Sequence, residues 1–262
     1  MASLSPLLWG VALGGGAASG LLAGLFGVGG GTLMVPLLLG LGLPLAQAVA
    51  LSLVYIFFTS LSGTHTHWQQ GSLVPRVAAW MGLSALFSAG AGVWITGWIP
   101  AALHLWLFIG FLLLMAALFI WPLPRQKNPT EGEQTTAVWV FLGIGLLAGL
   151  LASLFGVGGG FVMVPLLVSL SDLDIYQATG TSLGAIALIS LGTLLQQSLF
   201  GALQALSVTH LLLLLVMSSA GMLAAPWGAR LSQRLPQIWL RRGFLSLIGL
   251  IVLYLLSRQL QG

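Results

Sequence analysis

The chain contains no cysteine, which removes disulfides, thiolate chemistry and Cys-ligated metals from consideration. Charge is nearly as scarce: 5% of the 262 residues are Asp, Glu, Lys or Arg, where soluble domains carry about 25%. Acids are the rarer sign, 4 against 8 basic residues. All of them lie in polar stretches, Glu131 and Glu133 within 122–136, Asp172 and Asp174 within 171–176. A carboxylate proton relay inside a membrane is therefore not expected. A net charge of +4 is too small to suggest nucleic acid as a partner. The start, Met1-Ala2-Ser3-Leu4-Ser5-Pro6, lacks a basic segment, so no cleaved signal peptide is expected.

What remains is apolar. Residues of that kind make up 58% of the chain, and the mean hydropathy is +1.06. Runs long enough to span a bilayer, about 20 residues, fall near 5–26, 46–69, 75–96, 101–121, 137–155, 177–199, 206–229 and 237–257. Two shorter apolar pieces, near 32–41 and 161–170, reach only about 15 Å as helices, half of the hydrocarbon core. The expected fold is all-α and polytopic. The polar linker at 122–136, with Arg125, Lys127, Glu131 and Glu133, divides a first repeat (1–121) from a second (137–262) within a single transmembrane domain.

The short pieces follow a glycine block that occurs twice. Leu25-Phe26-Gly27-Val28-Gly29-Gly30-Gly31-Thr32-Leu33-Met34-Val35-Pro36 is repeated nearly unchanged as Leu154-Phe155-Gly156-Val157-Gly158-Gly159-Gly160-Phe161-Val162-Met163-Val164-Pro165, 129 positions later. Each glycine in a helix costs about 1 kcal/mol against alanine, so the block predicts a break. Broken backbone at membrane depth is tolerated where it is buried in protein or lines a wet cavity. Breaks at matching positions of two halves point to a transporter's binding site. The repeat continues: Gln47-Ala48 matches Gln177-Ala178, Ser52 matches Ser182, Ser60 matches Ser190, and Phe108 matches Phe244.

Basic residues mark cytoplasmic loops and decide how the copies are oriented. If each broken element crosses the membrane an even number of times, Arg76, Arg125, Lys127, Arg230, Arg234, Arg241 and Arg242 share one side and only Arg258 lies opposite. A single crossing per element splits them poorly. The even count makes the repeats inverted, each with a glycine-broken helix pair, re-entrant or as two short spans, plus three spanning helices.

A short helix is expected to start after each break, at Thr32 and Phe161. Its N-terminus offers unpaired N–H groups and about half a positive charge, which glycines let an anion approach closely. The candidate substrate-binding residues are Gly27, Gly29, Gly30, Gly31, Thr32, Gln47 and Ser52, with Gly156, Gly158, Gly159, Gly160, Gln177, Thr181 and Ser182. Gln and hydroxyl side chains can donate to anionic oxygens, although helix capping and helix–helix bonding use the same groups. No catalytic residue, metal site or cofactor is expected. His65 and His67, two apart, face different ways on a helix and read as interface residues near Trp68; His104 and His210 read as isolated near-surface residues. Gly180-Thr181-Ser182-Leu183-Gly184 fits a hydrolase pattern, but on an apolar helix rather than the strand–turn–helix that the chemistry needs. The glycine block lacks the Gly-Lys-Ser/Thr ending of a nucleotide loop.

The duplicated block, the Gln-Ala openings of the helices that follow and the central polar linker resemble the sulfite exporter TauE/SafE family over essentially the whole chain. The resemblance implies a multi-pass protein of the bacterial inner (plasma) membrane exporting small sulfur-containing or organic anions of the sulfite/sulfonate class. Alternating access around a midplane site is the expected mechanism, with a passive anion channel as the alternative. Expected partners are the anionic substrate, the lipid bilayer and a second copy in a homodimer. Thr32 faces Phe161 in the alignment of the blocks, so the two half-sites are not chemically equivalent.

Overall fold

The computed structural model describes residues 6–120, 137–199 and 208–259. The linker at 122–136, with its four charged residues, and the side chain of His210 lie outside that description. Among the described residues ten helices follow one another: α1 (Pro6–Phe26), α2 (Gly31–Gly40), α3 (Leu45–Gln69), α4 (Pro75–Thr96), α5 (Ala101–Ile120), α6 (Val138–Phe155), α7 (Gly160–Leu170), α8 (Ile175–Leu199), α9 (Val208–Arg234) and α10 (Gln237–Gln259). Among the described residues seven are long and apolar enough to cross a membrane, one fewer than the eight expected runs, with α5 giving only a shorter apolar stretch at Leu103–Leu114. Those spans and the shorter apolar helices match the expected runs closely; α2 and α7 begin at Gly31 and Gly160, one residue early.

The packing pairs come in matched sets. α1 lies on α9 as α6 lies on α4, α3 on α9 as α8 on α4, and α2 on α3 as α7 on α8. The tightest pairs use small residues, which let backbones meet where apolar lipid gives no hydrophobic drive. Gly16, Gly20 and Gly24 of α1 press on the backbone at Met217, Gly221 and Ala225 of α9, so these two helices run the same way. Gly145 and Gly149 of α6 press on Met81 and Ala85 of α4 in the same manner.

α3 and α8, counterparts in the repeat, cross at the centre and run antiparallel: Gly63 meets Leu183 and Gly180 meets His67. α2 doubles back along α1, with Leu37 against Gly15. The element α1–break–α2 thus folds back on itself as a hairpin. Contacts at the far ends agree. Gly243, near the start of α10, meets the Phe26 ring at the end of α1. His104, near the start of α5, reaches Leu154 at the end of α6.

Two histidines are placed differently from expectation. His104 is not near-surface: it is 4% exposed, with Nε2 2.6 Å from the Leu154 carbonyl oxygen and its ring beside Phe155. α5 leans on the last turn of α6, where a carbonyl without an intrahelical partner needs a donor. His67 is not an interface residue either. It is fully buried, with Nδ1 2.7 Å from Ser72 Oγ and Nε2 3.4 Å from the Gly24 carbonyl oxygen. His65 does face outward, so the two point apart as expected.

Candidate functional site

The breaks form because their glycines take up the left-handed backbone region, with φ of +71°, +72° and +81° at Gly27, Gly29 and Gly30 and +66°, +76° and +76° at Gly156, Gly158 and Gly159. Side chains there would cost about 1–2 kcal/mol each. The two breaks meet. A methyl group on Gly31 would sit 2.5 Å from the Gly156 oxygen, and one on Gly160 would sit 2.5 Å from Val28 Cα. Ile56 of α3 and Ile186 of α8 close the crossing: their Cγ2 atoms lie 3.0 and 2.9 Å from the Cβ position of Gly29, and 3.1 and 3.0 Å from that of Gly158. Every residue of both breaks is buried.

Burying irregular backbone away from water requires partners for its carbonyls, and serines supply them across the repeat. Ser52 Oγ donates to the Gly156 carbonyl at 2.8 Å, and Ser182 Oγ to the Gly27 carbonyl at 2.8 Å. In the first break Thr59 Oγ1 also donates to Gly29 (3.0 Å) and Ser19 Oγ to Gly30 (2.5 Å). Tyr55 is fully buried beside Gly30 and donates to the Gly16 carbonyl at 2.6 Å.

The donors are left open. The N–H groups of Val28, Gly29, Gly30, Gly31, Thr32 and Leu33 make no hydrogen bond among the described residues; the ladder resumes at Met34, whose N–H reaches the Gly30 oxygen at 3.2 Å. Neither Gly30 nor Gly159 gives its helix a side-chain cap. Successive free amides around left-handed glycines, opening a helix, are a backbone arrangement of the kind that binds anions.

The expected site residues therefore divide. The eight glycines, Thr32, Ser52 and Ser182 lie at or against the crossing. Gln177 sits in a reciprocal cap of α8: its N–H reaches Asp174 Oδ1 at 2.7 Å, and Asp174 N–H reaches its Oε1 at 3.4 Å. Thr181 Oγ1 accepts from Val74 N–H at 3.1 Å, tying α8 to the start of α4. Gln47 is half-buried in the first turn of α3. Missing from the expectation are Ser19, Tyr55, Thr59 and the site role of Ser60, which is fully buried and whose Oγ lies 3.2 Å from the Cβ position of Gly29. The Ser60–Ser190 match was a usable signal. Among the described residues no group of His, Asp or Glu could hold a metal.

Residues 12–255 match the family model described as Sulfite exporter TauE/SafE. The chain is 28% identical over 242 residues to Probable membrane transporter protein YdhB of Bacillus subtilis, covering 90% of this chain and 96% of that one. It is 26% identical over 247 residues to a probable membrane transporter protein of Methanocaldococcus jannaschii, covering 90% and 91%. A probable membrane transporter protein of Haemophilus influenzae is 29% identical over 178 residues, 64% of this chain and 65% of the relative. No solved structure matches the chain.

Proposed function

This chain belongs to the sulfite exporter TauE/SafE family of multi-pass membrane transporters, and from that premise we propose that it exports small sulfur-containing or organic anions by alternating access. The sulfite/sulfonate class is the intended substrate, held at the crossing of the two glycine breaks. The single observation that carries this reading is the row of six unpaired amides from Val28 to Leu33. Inside a low-dielectric bilayer such donors favour a negative ligand.

The two repeats are inverted in this reading, related by an axis in the membrane plane. Antiparallel packing of the counterpart helices α3 and α8 supports it, as do hairpins that turn back. With that topology the basic residues from Arg76 to Arg242 collect on the cytoplasmic face, in a bacterial inner membrane. A carrier is favoured over a passive channel because Ile56 and Ile186 pack directly against the crossing.

The test is sulfite or sulfonate efflux from vesicles loaded with the protein. Efflux stimulated by substrate on the far side, and lost in a Gly30→Leu plus Gly159→Leu variant present at normal level, is the expected result. Transport that persists in that variant removes the site; flux without stimulation from the far side makes the protein a channel.

A further inference from the structure

We propose that the two breaks share the work unequally: the first holds the anion, with the Ser60 hydroxyl as a specificity-determining donor, and the second supports it from across the crossing. This rests on the crossing being the substrate site.

The repeat supplies its own control. Ser60 and Ser190 occupy equivalent positions on α3 and α8, and both are fully buried. Ser190 Oγ turns back to its own helix, donating to Ile186 (2.7 Å) and Ala187 (3.2 Å). Among the described residues Ser60 Oγ has no hydrogen-bond partner, and it lies against Gly29 just before α2. A buried hydroxyl without a partner forfeits hydrogen-bond energy, and native structures rarely leave one so. An oxygen of a bound anion would complete it.

The surroundings differ in the same sense. In the first break Ser19 and Thr59 occupy the carbonyls of Gly30 and Gly29, and Ser182 occupies that of Gly27. The equivalents of Ser19, Thr59 and Tyr55 in the second half are Ala148, Ile189 and Ala185, and the residue matching Thr32 is Phe161. There the helix start folds on itself, with Val162 and Met163 N–H groups both on the Gly159 oxygen at 3.1 Å. The first break thus has its Gly27, Gly29 and Gly30 carbonyls occupied and presents its open N–H groups with the Ser60 hydroxyl. Such a set recognises a ligand that accepts hydrogen bonds and offers none, which is the chemistry of an ionised sulfite or sulfonate head.

The experiment measures binding of sulfite and of methanesulfonate to the full-length protein in lipid nanodiscs, by calorimetry. Ser60→Ala removes no intramolecular bond, so its melting temperature should match that of the parent. Its affinity for sulfite is expected to fall about tenfold, the usual loss for one bond to a charged group, with Ser190→Ala within about twofold of the parent. Thr59→Val, which frees the Gly29 carbonyl to oppose the anion, should also weaken binding, and the counterpart Ile189→Val should not. Equal losses at Ser60 and Ser190, or no loss at Ser60, would overturn the unequal division while leaving the anion site standing. A parent protein that binds neither probe would overturn both.

Discussion

Ser52 and Ser182 each donate to a glycine carbonyl in the opposite half of the chain, at 2.8 Å in both cases, while also bonding the carbonyl three residues back on their own helices. These exchanged bonds link the halves where the backbone is least regular.

Removing either hydroxyl strands a buried carbonyl. Ser52→Ala and Ser182→Ala should each destabilise the protein by about 1–3 kcal/mol, by similar amounts because the bonds are equivalent. Thermal unfolding in detergent reads the loss; a null effect at one of the two would break the equivalence.

Positive φ alone and positive φ at the crossing are separable. Gly30→Ala places a methyl 3.0 Å from Ser19 and Tyr55 atoms as well as straining the backbone, whereas Gly42, at φ +87°, has nothing within 4 Å. Gly42→Ala should lower stability by about 1–2 kcal/mol and leave vesicle transport intact, while Gly30→Ala abolishes transport.

The α1–α9 contact tolerates no side chain at Gly20, which lies on the Gly221 backbone, but Gly14 in the same helix has open space around it. Gly20→Val should cost more than about 3 kcal/mol, beyond ordinary substitutions, and Gly149→Val at the matching α4–α6 contact should behave alike. Gly14→Ala should stabilise α1 by up to about 1 kcal/mol. Melting temperatures of the three variants decide the matter.

His104 acts as a donor to the last turn of α6. His104→Phe keeps a ring against Phe155 and loses the bond to Leu154, so a loss of about 1–3 kcal/mol is expected. Unchanged thermal stability of that variant would show the bond to be idle.

The absence of cysteine makes topology directly measurable. Trp98→Cys, in the α4–α5 turn, should label from outside intact cells with an impermeant maleimide, and Asp172→Cys, in the α7–α8 turn, only after permeabilisation. Both are exposed positions. Labelling from the same side would end the inverted arrangement.

Helix extents were legible in the sequence because apolar runs, glycine blocks and prolines bound them sharply. The breaks were legible too, since a string of glycines between apolar runs has few other uses. The partners of the broken backbone were not. Ser19 and Thr59 lie 11 and 30 residues from the carbonyls they serve, and only the folding back of α2 brings them there. His104 reads as an isolated near-surface residue until α5 is seen resting on α6. Ser60 and Ser190 look alike in the repeat; their difference comes from how each hydroxyl turns, which no pattern of residue types encodes.

The interlocked tips have a mechanical corollary. With Gly31 against Gly156 and Gly160 against Val28, the two hairpins are clasped like hooked fingers, and prising the halves apart at the middle would tear the proposed seat of the cargo. The clasp must travel or stay still as one rigid piece. In the proposed carrier, opening towards either side then falls to the helices around the clasp, among them α5 and α10, which touch α7 and α2.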